Sequence, residues 1–292
     1  MKIKKAVIPA AGLGTRVLPI SKTIPKEMLP IVDKPAIQYI IEEAVAAGIT
    51  DILIITNRGK GSIEDYFDHC VELESRLEEN GRHEALKQLK DIAGLANIQY
   101  VRQKETGGLG HAVLCARSFV GDEPFAVLYG DDVILSEEPV IGQLCRAYEE
   151  FGRSVVGIKQ VSDEEVQKYC TMKTDHIKDN YYFIDDMIEK PKKEQIISNY
   201  SILGRCVLVP KVFEVLQAIP KGFGGELQLT DAMKVIANTE GITGVDFIGK
   251  RYDIGNKFGI MKANIDVGLR HPEMSEELKE YIMRLAKQIQ SE

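Results

Sequence analysis

The sequence predicts an α/β protein, a doubly wound three-layer α/β/α sandwich around a mixed, mostly parallel sheet. Three observations predict it. Over about the first 150 residues, short apolar segments alternate with helix-period segments, the pattern of a parallel sheet covered on both faces. The first apolar segment runs into a glycine-rich loop, and open α/β sheets bind ligands at the carboxyl ends of their strands. Beyond about residue 150, strand-like segments follow with fewer long helices between them, which reads as a second half of the same domain.

Each element has a local reason. Residues 6–10 form a first buried strand. Ile37, Ile40, Ile41, Ala44 and Val45 recur at helical spacing, and Gly48 ends that helix. Residues 51–56 form a second strand, short and apolar as buried parallel strands are. Residues 62–93 read as one charged helical stretch broken at Gly81. A third strand at 99–102 is followed by a glycine turn and a helix at 112–117. A fourth strand at 124–129 delivers Gly130-Asp131-Asp132. Residues 154–161, 181–189 and 202–209 are strand-like. Residues 256–291 read as a helical tail with Leu278, Ile282, Leu285 and Ile289 on one apolar stripe. That stripe fits either packing on the protein's own core or an arm to a second copy. The expected organisation is one domain over 1–292: a first half (about 1–150), a second half (about 151–255) and a helical arm (about 256–292).

Composition excludes several function classes. A net charge of −7 argues against broad nucleic-acid or membrane-surface binding, so positive charge must be local. The 5 cysteines are scattered, without a Cys-x-x-Cys, which fits reduced thiols in a cytoplasm. The amino-terminal residues lead into a strand rather than a signal region, and no apolar run approaches membrane-spanning length.

The chemistry starts at Ala10-Ala11-Gly12-Leu13-Gly14-Thr15-Arg16, followed by Pro25-Lys26-Glu27-Met28-Leu29-Pro30. Glycines let backbone N–H groups approach phosphate or base, and Arg16 and Lys26 add fixed positive charge. Together they suggest a triphosphate site. A dinucleotide fingerprint is excluded, because Val17 stands at the third-glycine position and Pro19 and Pro25 delay any helix. Gly59-Lys60-Gly61-Ser62 lacks P-loop spacing and reads as a helix-start turn.

These residues carry a resemblance. The opening loop, Pro25–Pro35 and Ile37-Gln38-Tyr39 resemble the start of bacterial UTP–glucose-1-phosphate uridylyltransferases (UDP-glucose pyrophosphorylases), sugar nucleotidyltransferases of the nucleotide-diphospho-sugar transferase fold. Val101-Arg102-Gln103, residues 108–113, Gly130-Asp131-Asp132, Glu189-Lys190-Pro191, residues 224–231 and Tyr252-Asp253-Ile254-Gly255 match in order, over roughly residues 1–270. The resemblance implies Mg2+-dependent transfer of UMP from UTP to glucose 1-phosphate, giving UDP-glucose and pyrophosphate. It also implies that the first half (about 1–150) binds nucleotide and the second (about 151–255) binds sugar, and it implies a homodimer or homotetramer.

Nucleotidyl transfer needs alignment and neutralisation of phosphate charge more than covalent chemistry. No Ser or Cys stands near a His in a nucleophile arrangement. Asp131, at a strand end, is the first metal-ligand candidate and Asp253 the second. Asp132 is open between orienting Asp131 and facing a ribose. Arg16 suits the β- and γ-phosphates, and Lys26 the α-phosphate. Ala10, Ala11, Gly12, Gly14 and Thr15 make up the nucleotide loop. Gln103 can donate to and accept from a pyrimidine edge, and Gly108 lets the base lie on backbone. His111 is open between capping, packing and catalysis. By resemblance, Glu189 accepts from sugar hydroxyls, Lys190 holds the sugar phosphate and Gly204 lies near the sugar, with Gln228 and Asp231 in support.

The chain departs from the resembled pattern twice. It has Tyr169-Cys170 where Tyr-Gly is usual and Gly204-Arg205-Cys206 where Gly-Arg-Tyr is usual, which opens the question of sugar preference. The alternatives are a thymidylyltransferase, or a uridylyltransferase for another sugar 1-phosphate. A silent sugar-nucleotide sensor would have lost Arg16, Lys26, Asp131 or Asp253, and all are present.

Overall fold

A computed structural model describes residues 2–291. Strand β1 (Lys5–Pro9) opens into the glycine loop, whose prolines hold residues 15–28 in short 3-10 turns. A ribbon of β2 (Pro30–Ile31) and β3 (Lys34–Pro35) closes the loop before α1 (Ala36–Ala46). After β4 (Asp51–Thr56) come three helices, α2 (Gly61–Phe67), α3 (Val71–Glu79) and α4 (His83–Ala93), rather than one stretch broken at Gly81. β5 (Asn97–Arg102), α5 (Leu109–Leu114), α6 (Arg117–Val120) and β6 (Phe125–Leu128) complete the first half. Two short helices thus stand in place of the single one expected over 112–117.

The second half runs β7 (Asp132–Leu135), α7 (Val140–Phe151), β8 (Val155–Gln160), α8 (Asp163–Val166), β9 (Cys170–Lys178), β10 (Tyr181–Glu189) and β11 (Tyr200–Leu208). It continues through α9 (Lys211–Ala218), α10 (Leu229–Glu240), β12 (Ile242–Asp246), β13 (Lys250–Asp253), α11 (Lys257–Gly268) and α12 (Ser275–Ser291). β9 and β12 have no counterpart in the sequence-based expectation. β9 is an edge strand whose outer residues are mostly exposed, so it lacks an apolar pattern.

The main sheet has nine strands in the order β5-β4-β1-β6-β11-β8-β12-β10-β9, with β10 and β11 running against the rest. It is the mixed, mostly parallel sheet expected. Alternate residues of β1 face opposite layers: Ala6 and Ile8 pack with α1 and α7, and Val7 packs with α5, α9 and α10. Both faces are therefore covered, and β1 emerges at the sheet's centre with its loop at the carboxyl edge.

α12 buries no residue, and Leu285 and Ile289 of its apolar stripe are exposed. Leu278 and Ile282 are half-buried, Leu278 against Gly268 of α11, so the stripe packs on the chain at its start and faces outward at its end. Among the described residues, no helix is long and apolar enough to cross a membrane.

Candidate active site

The glycine loop is pinned from below. Ala10 N–H donates to Ile55 O at 2.8 Å, continuing the β1–β4 pairing past the strand end. The Lys60 ammonium donates to Ala10 O and the Asn57 amide to Ala11 O. Gly14 has φ 67°, a left-handed conformation that a side chain disfavours, and Ser21 Oγ donates to its carbonyl at 2.7 Å. Gly59–Ser62 is the helix-start turn expected, leading into α2. No local signal marks Lys60 as reaching under the loop, where it is buried and lies 2.8 Å from the buried Glu27. Burial pushes the Glu27 carboxyl up and the Lys60 ammonium down, against their mutual attraction.

Above the loop lies a cleft of about 510 Å³, lined by Ala11, Gly12, Thr15, Lys26, Gln103 and Asp131 among others. Charge concentrates at one end. Lys26 Nζ is 2.5 Å from Asp131 Oδ2, while Arg16 reaches Asp131 at 3.6 Å and Asp253 at 3.3 Å. A β7–β13 ribbon causes this convergence by pairing Asp253 with Asp132, and Ile254 N–H donates to Asp131 O at 2.8 Å. Gly255 has no room for a side chain: a Cβ there would press on Arg16 and lie 2.8 Å from Asp253 and 2.9 Å from Asp131. Burial works against charge on both partners of the Lys26–Asp131 pair. Even so, Lys26 and then Arg16 hold the Asp131 carboxyl below its usual range, and Asp131 and Glu27 hold the Lys26 ammonium above its own.

Asp132 is buried with its carboxylate on Arg251, at 2.5 Å from Nη2 and 2.6 Å from Nε. It lines a cavity of about 120 Å³ with Asp131 and Asp253, not the main cleft. Burial, against the pull of Arg251, pushes its carboxyl up to about 6, and Asp131 and Asp253 add to the push. Arg251 stacks on Tyr169, whose hydroxyl accepts from Arg251 at 3.2 Å and donates to Asp253 at 3.4 Å. Sequence reasoning assigned Arg251 no role. Its place two residues before Asp253 was the available signal.

Gln103 is buried at the end of β5. Its amide NH2 donates to Gly108 O at 3.1 Å and to His111 Nδ1 at 2.9 Å, which leaves Oε1 to accept. His111 therefore orients Gln103. Gly108 has φ 93°, and a Cβ there would fall 2.7 Å from Glu226 Cβ.

On the other side, Glu189 lines a cavity of about 100 Å³ with Tyr169, Cys170, Gln228 and Thr230. Burial raises its carboxyl, with the Thr230 hydroxyl opposing. Asp231, in the first turn of α10, packs against Gly222 instead of lining this cavity. Lys190 is not brought in either: it is exposed, with Nζ 4.8 Å from the Phe223 ring centroid. It also holds φ 43°, a strained backbone for a residue with a side chain. Gly204 (φ 76°) backs Asp132, where a Cβ would come 3.0 Å from that residue's own Cβ, and it lines none of the three cavities. Cys170 Sγ accepts from Ile202 N–H at 3.3 Å, and burial pushes its thiol up to about 12.

A family model described as nucleotidyl transferase matches residues 5–268. The chain belongs to the nucleotidyl transferase family. Members similar to it are named consistently. UTP–glucose-1-phosphate uridylyltransferase YngB of Bacillus subtilis is 53% identical over 96% of this chain and 95% of its own length. UTP–glucose-1-phosphate uridylyltransferase 2 of Staphylococcus saprophyticus is 50% identical over 97% of this chain and 98% of its own. Among solved structures of the family, a UDP-glucose pyrophosphorylase complexed with UDP-glucose superposes with a TM-score of 0.85, at 42% identity over 92% of this chain and 100% of its own. A UTP-bound enzyme from Acinetobacter baumannii reaches a TM-score of 0.90, at 38% identity over 97% of this chain and 99% of its own.

Proposed function

We propose that this nucleotidyltransferase joins UTP and glucose 1-phosphate into UDP-glucose and pyrophosphate. The carrying observation is the convergence of Arg16 and Lys26 on Asp131 and Asp253 at one end of a cleft whose other end holds the free acceptor oxygen of Gln103. The names of the similar enzymes supply the substrates.

Uracil offers one ring N–H donor between two carbonyl acceptors. Gln103 Oε1 matches the donor, and backbone N–H groups at Ala11 and Gly12 match a carbonyl. Ala10, Gly14, Thr15 and Gly108 shape the backbone around base and phosphates. Arg16 takes the β- and γ-phosphates and Lys26 the α-phosphate. An oxygen of the sugar phosphate attacks the α-phosphorus in line, and the bond to the pyrophosphate oxygen breaks as the new one forms. Lys26 stabilises charge at the α-phosphate during that exchange. Glu189 accepts from sugar hydroxyls. Lys190 swings from Phe223 to the sugar phosphate, and Gly204 supports the sugar side through Asp132. Asp132 acts by holding Arg251 and Tyr169 against Asp253.

The residues present fit Mg2+. Asp131 and Asp253 supply hard oxygen donors, and among the described residues no cluster of three or more ligating side chains exists. One or two carboxylates completed by substrate phosphates is the pattern Mg2+ prefers. Bound there, it supplies neutralisation of the triphosphate and of the departing pyrophosphate. The exposed end of the α12 stripe, Leu285 and Ile289, supports a homodimer or homotetramer, and five free thiols suit a reducing cytoplasm.

Pyrophosphate release with Mg2+, across a grid of nucleoside triphosphates and sugar 1-phosphates, tests this reading. Turnover confined to UTP with glucose 1-phosphate is expected. Preference for dTTP or for another sugar 1-phosphate would replace it with the corresponding transferase.

A further inference from the structure

Tyr129 stands between β6 and the Gly130-Asp131 turn on a fixed backbone. Its N–H donates to Gly204 O at 2.9 Å, and its carbonyl accepts from Asp132 N–H at 3.1 Å. Among the described residues, it alone lines the main cleft, the Glu189 cavity and the Asp131–Asp253 cavity together. The ring is therefore the partition where nucleotide and acceptor meet.

The hydroxyl lies at the acceptor end. Cys206 Sγ is 3.8 Å from it, and Cys170 and Glu189 are the other titratable groups that act on it. A buried phenol ordinarily finds a firm hydrogen-bond partner. A thiol at that distance is a weak one. The donor is thus held in reserve beside a cavity whose polar lining includes Lys168, Tyr169, Glu189, Gln228 and Thr230. Cys206 is also one of the two positions at which the sequence departs from the resembled pattern, and its small side chain leaves the phenol its space.

We propose that Tyr129 is a specificity-determining residue for the acceptor, donating its hydroxyl proton in a hydrogen bond to a hydroxyl oxygen of the sugar. This rests on the uridylyltransferase reading above. The ring then does two jobs: its face closes the nucleotide cleft, and its hydroxyl selects the sugar.

The test is steady-state kinetics of the full chain and two near-isosteric variants. Tyr129→Phe keeps the ring and removes the donor. It is expected to raise the KM for glucose 1-phosphate about fivefold to tenfold, the worth of one neutral hydrogen bond, with the KM for UTP within about twofold. Cys206→Ser offers the phenol a better acceptor, so it competes with the sugar and raises the same KM selectively. Among deoxyglucose 1-phosphates, the analogue lacking the bonded hydroxyl is expected to be used equally by wild type and Tyr129→Phe. Unchanged glucose 1-phosphate KM in both variants overturns the proposal. So does a parallel rise in the KM for UTP, or a Tyr129→Phe penalty that persists with every deoxy analogue. Failure of the underlying reading looks different, because the wild type itself would then not couple UTP to glucose 1-phosphate. If the wild type accepts another sugar 1-phosphate, the same comparison is run on that sugar.

Discussion

Lys26 holds its ammonium 2.5 Å from the Oδ2 of Asp131, 105 residues further along the chain. The pair neutralises itself in the lining of the main cleft. On the proposed reading, substrate phosphate competes with Asp131 for Lys26, which leaves Asp131 to a cation. Lys26→Ala is expected to lower kcat about a hundredfold to a thousandfold, the usual worth of one transition-state charge contact. UTP affinity by calorimetry should change far less. Equal losses in turnover and affinity would assign Lys26 to ground-state binding.

Asp131→Asn is expected to abolish Mg2+-dependent turnover and to change the pH profile of stability. Asp131 is held below the ordinary carboxylate range, so its stabilising contribution is present above the unfolded value, about 3.9. It disappears as pH falls through the lower folded value. Lys26 is held above its ordinary value, so its contribution persists below about 10.4 and fades only as pH rises past the folded value. Wild type should out-melt Asp131→Asn by a constant margin from pH 7 to 9, above the Asp132 titration at about 6, and the margin should begin to shrink as pH falls below about 4. A margin that does not shrink at all below about pH 4 would mean that the carboxylate's charge is not its source.

The first half of the fold was legible because β1, β4 and β6 are short apolar runs bounded by turn residues. Asp131 was legible for the same reason, as an acid delivered by a strand end. β9 was not, since an edge strand carries polar residues on its outer positions and leaves no periodic signal. The supports under the site were equally silent. Lys60 reads as a turn lysine until β4 and the loop are brought together, and Arg251 reads as a surface arginine until the β7–β13 ribbon sets it on Asp132. Pairings between distant segments are a property of the fold, not of local sequence.

Lys60→Met tests the support beneath the loop. Lys60 and Glu27 are almost wholly buried, and removing one partner strands the other's charge, a loss of about 3–5 kcal/mol for a buried pair. Burial already raises the Glu27 carboxyl, so without Lys60 the folded state favours its neutral form still more. The ionisation penalty then grows as pH rises from the unfolded value toward the folded one. Urea unfolding should accordingly show a larger loss at pH 8 than at pH 5. A Glu27→Gln, Lys60→Met double variant should recover part of it. Equal losses at both pH values would acquit Glu27 and place the damage in the lost bond to Ala10.

Cys170→Gly bears on the sugar side. The thiol fills the wall of the Glu189 cavity and accepts the Ile202 N–H, so glycine enlarges the cavity and leaves that donor without its sulfur. Ile202 itself lines the same cavity, so a freed N–H there gives a bulkier sugar both room and a hydrogen-bond donor. The expected outcome is a several-fold gain for acceptors larger than glucose 1-phosphate, such as an N-acetylhexosamine 1-phosphate, relative to glucose 1-phosphate itself. The KM for UTP should stay put, because Cys170 touches none of the nucleotide loop's side of the cleft. Competition between the two sugar phosphates in one assay reads this ratio directly. An unchanged ratio would show that the Cys170 side chain supports β11 without shaping the acceptor's space.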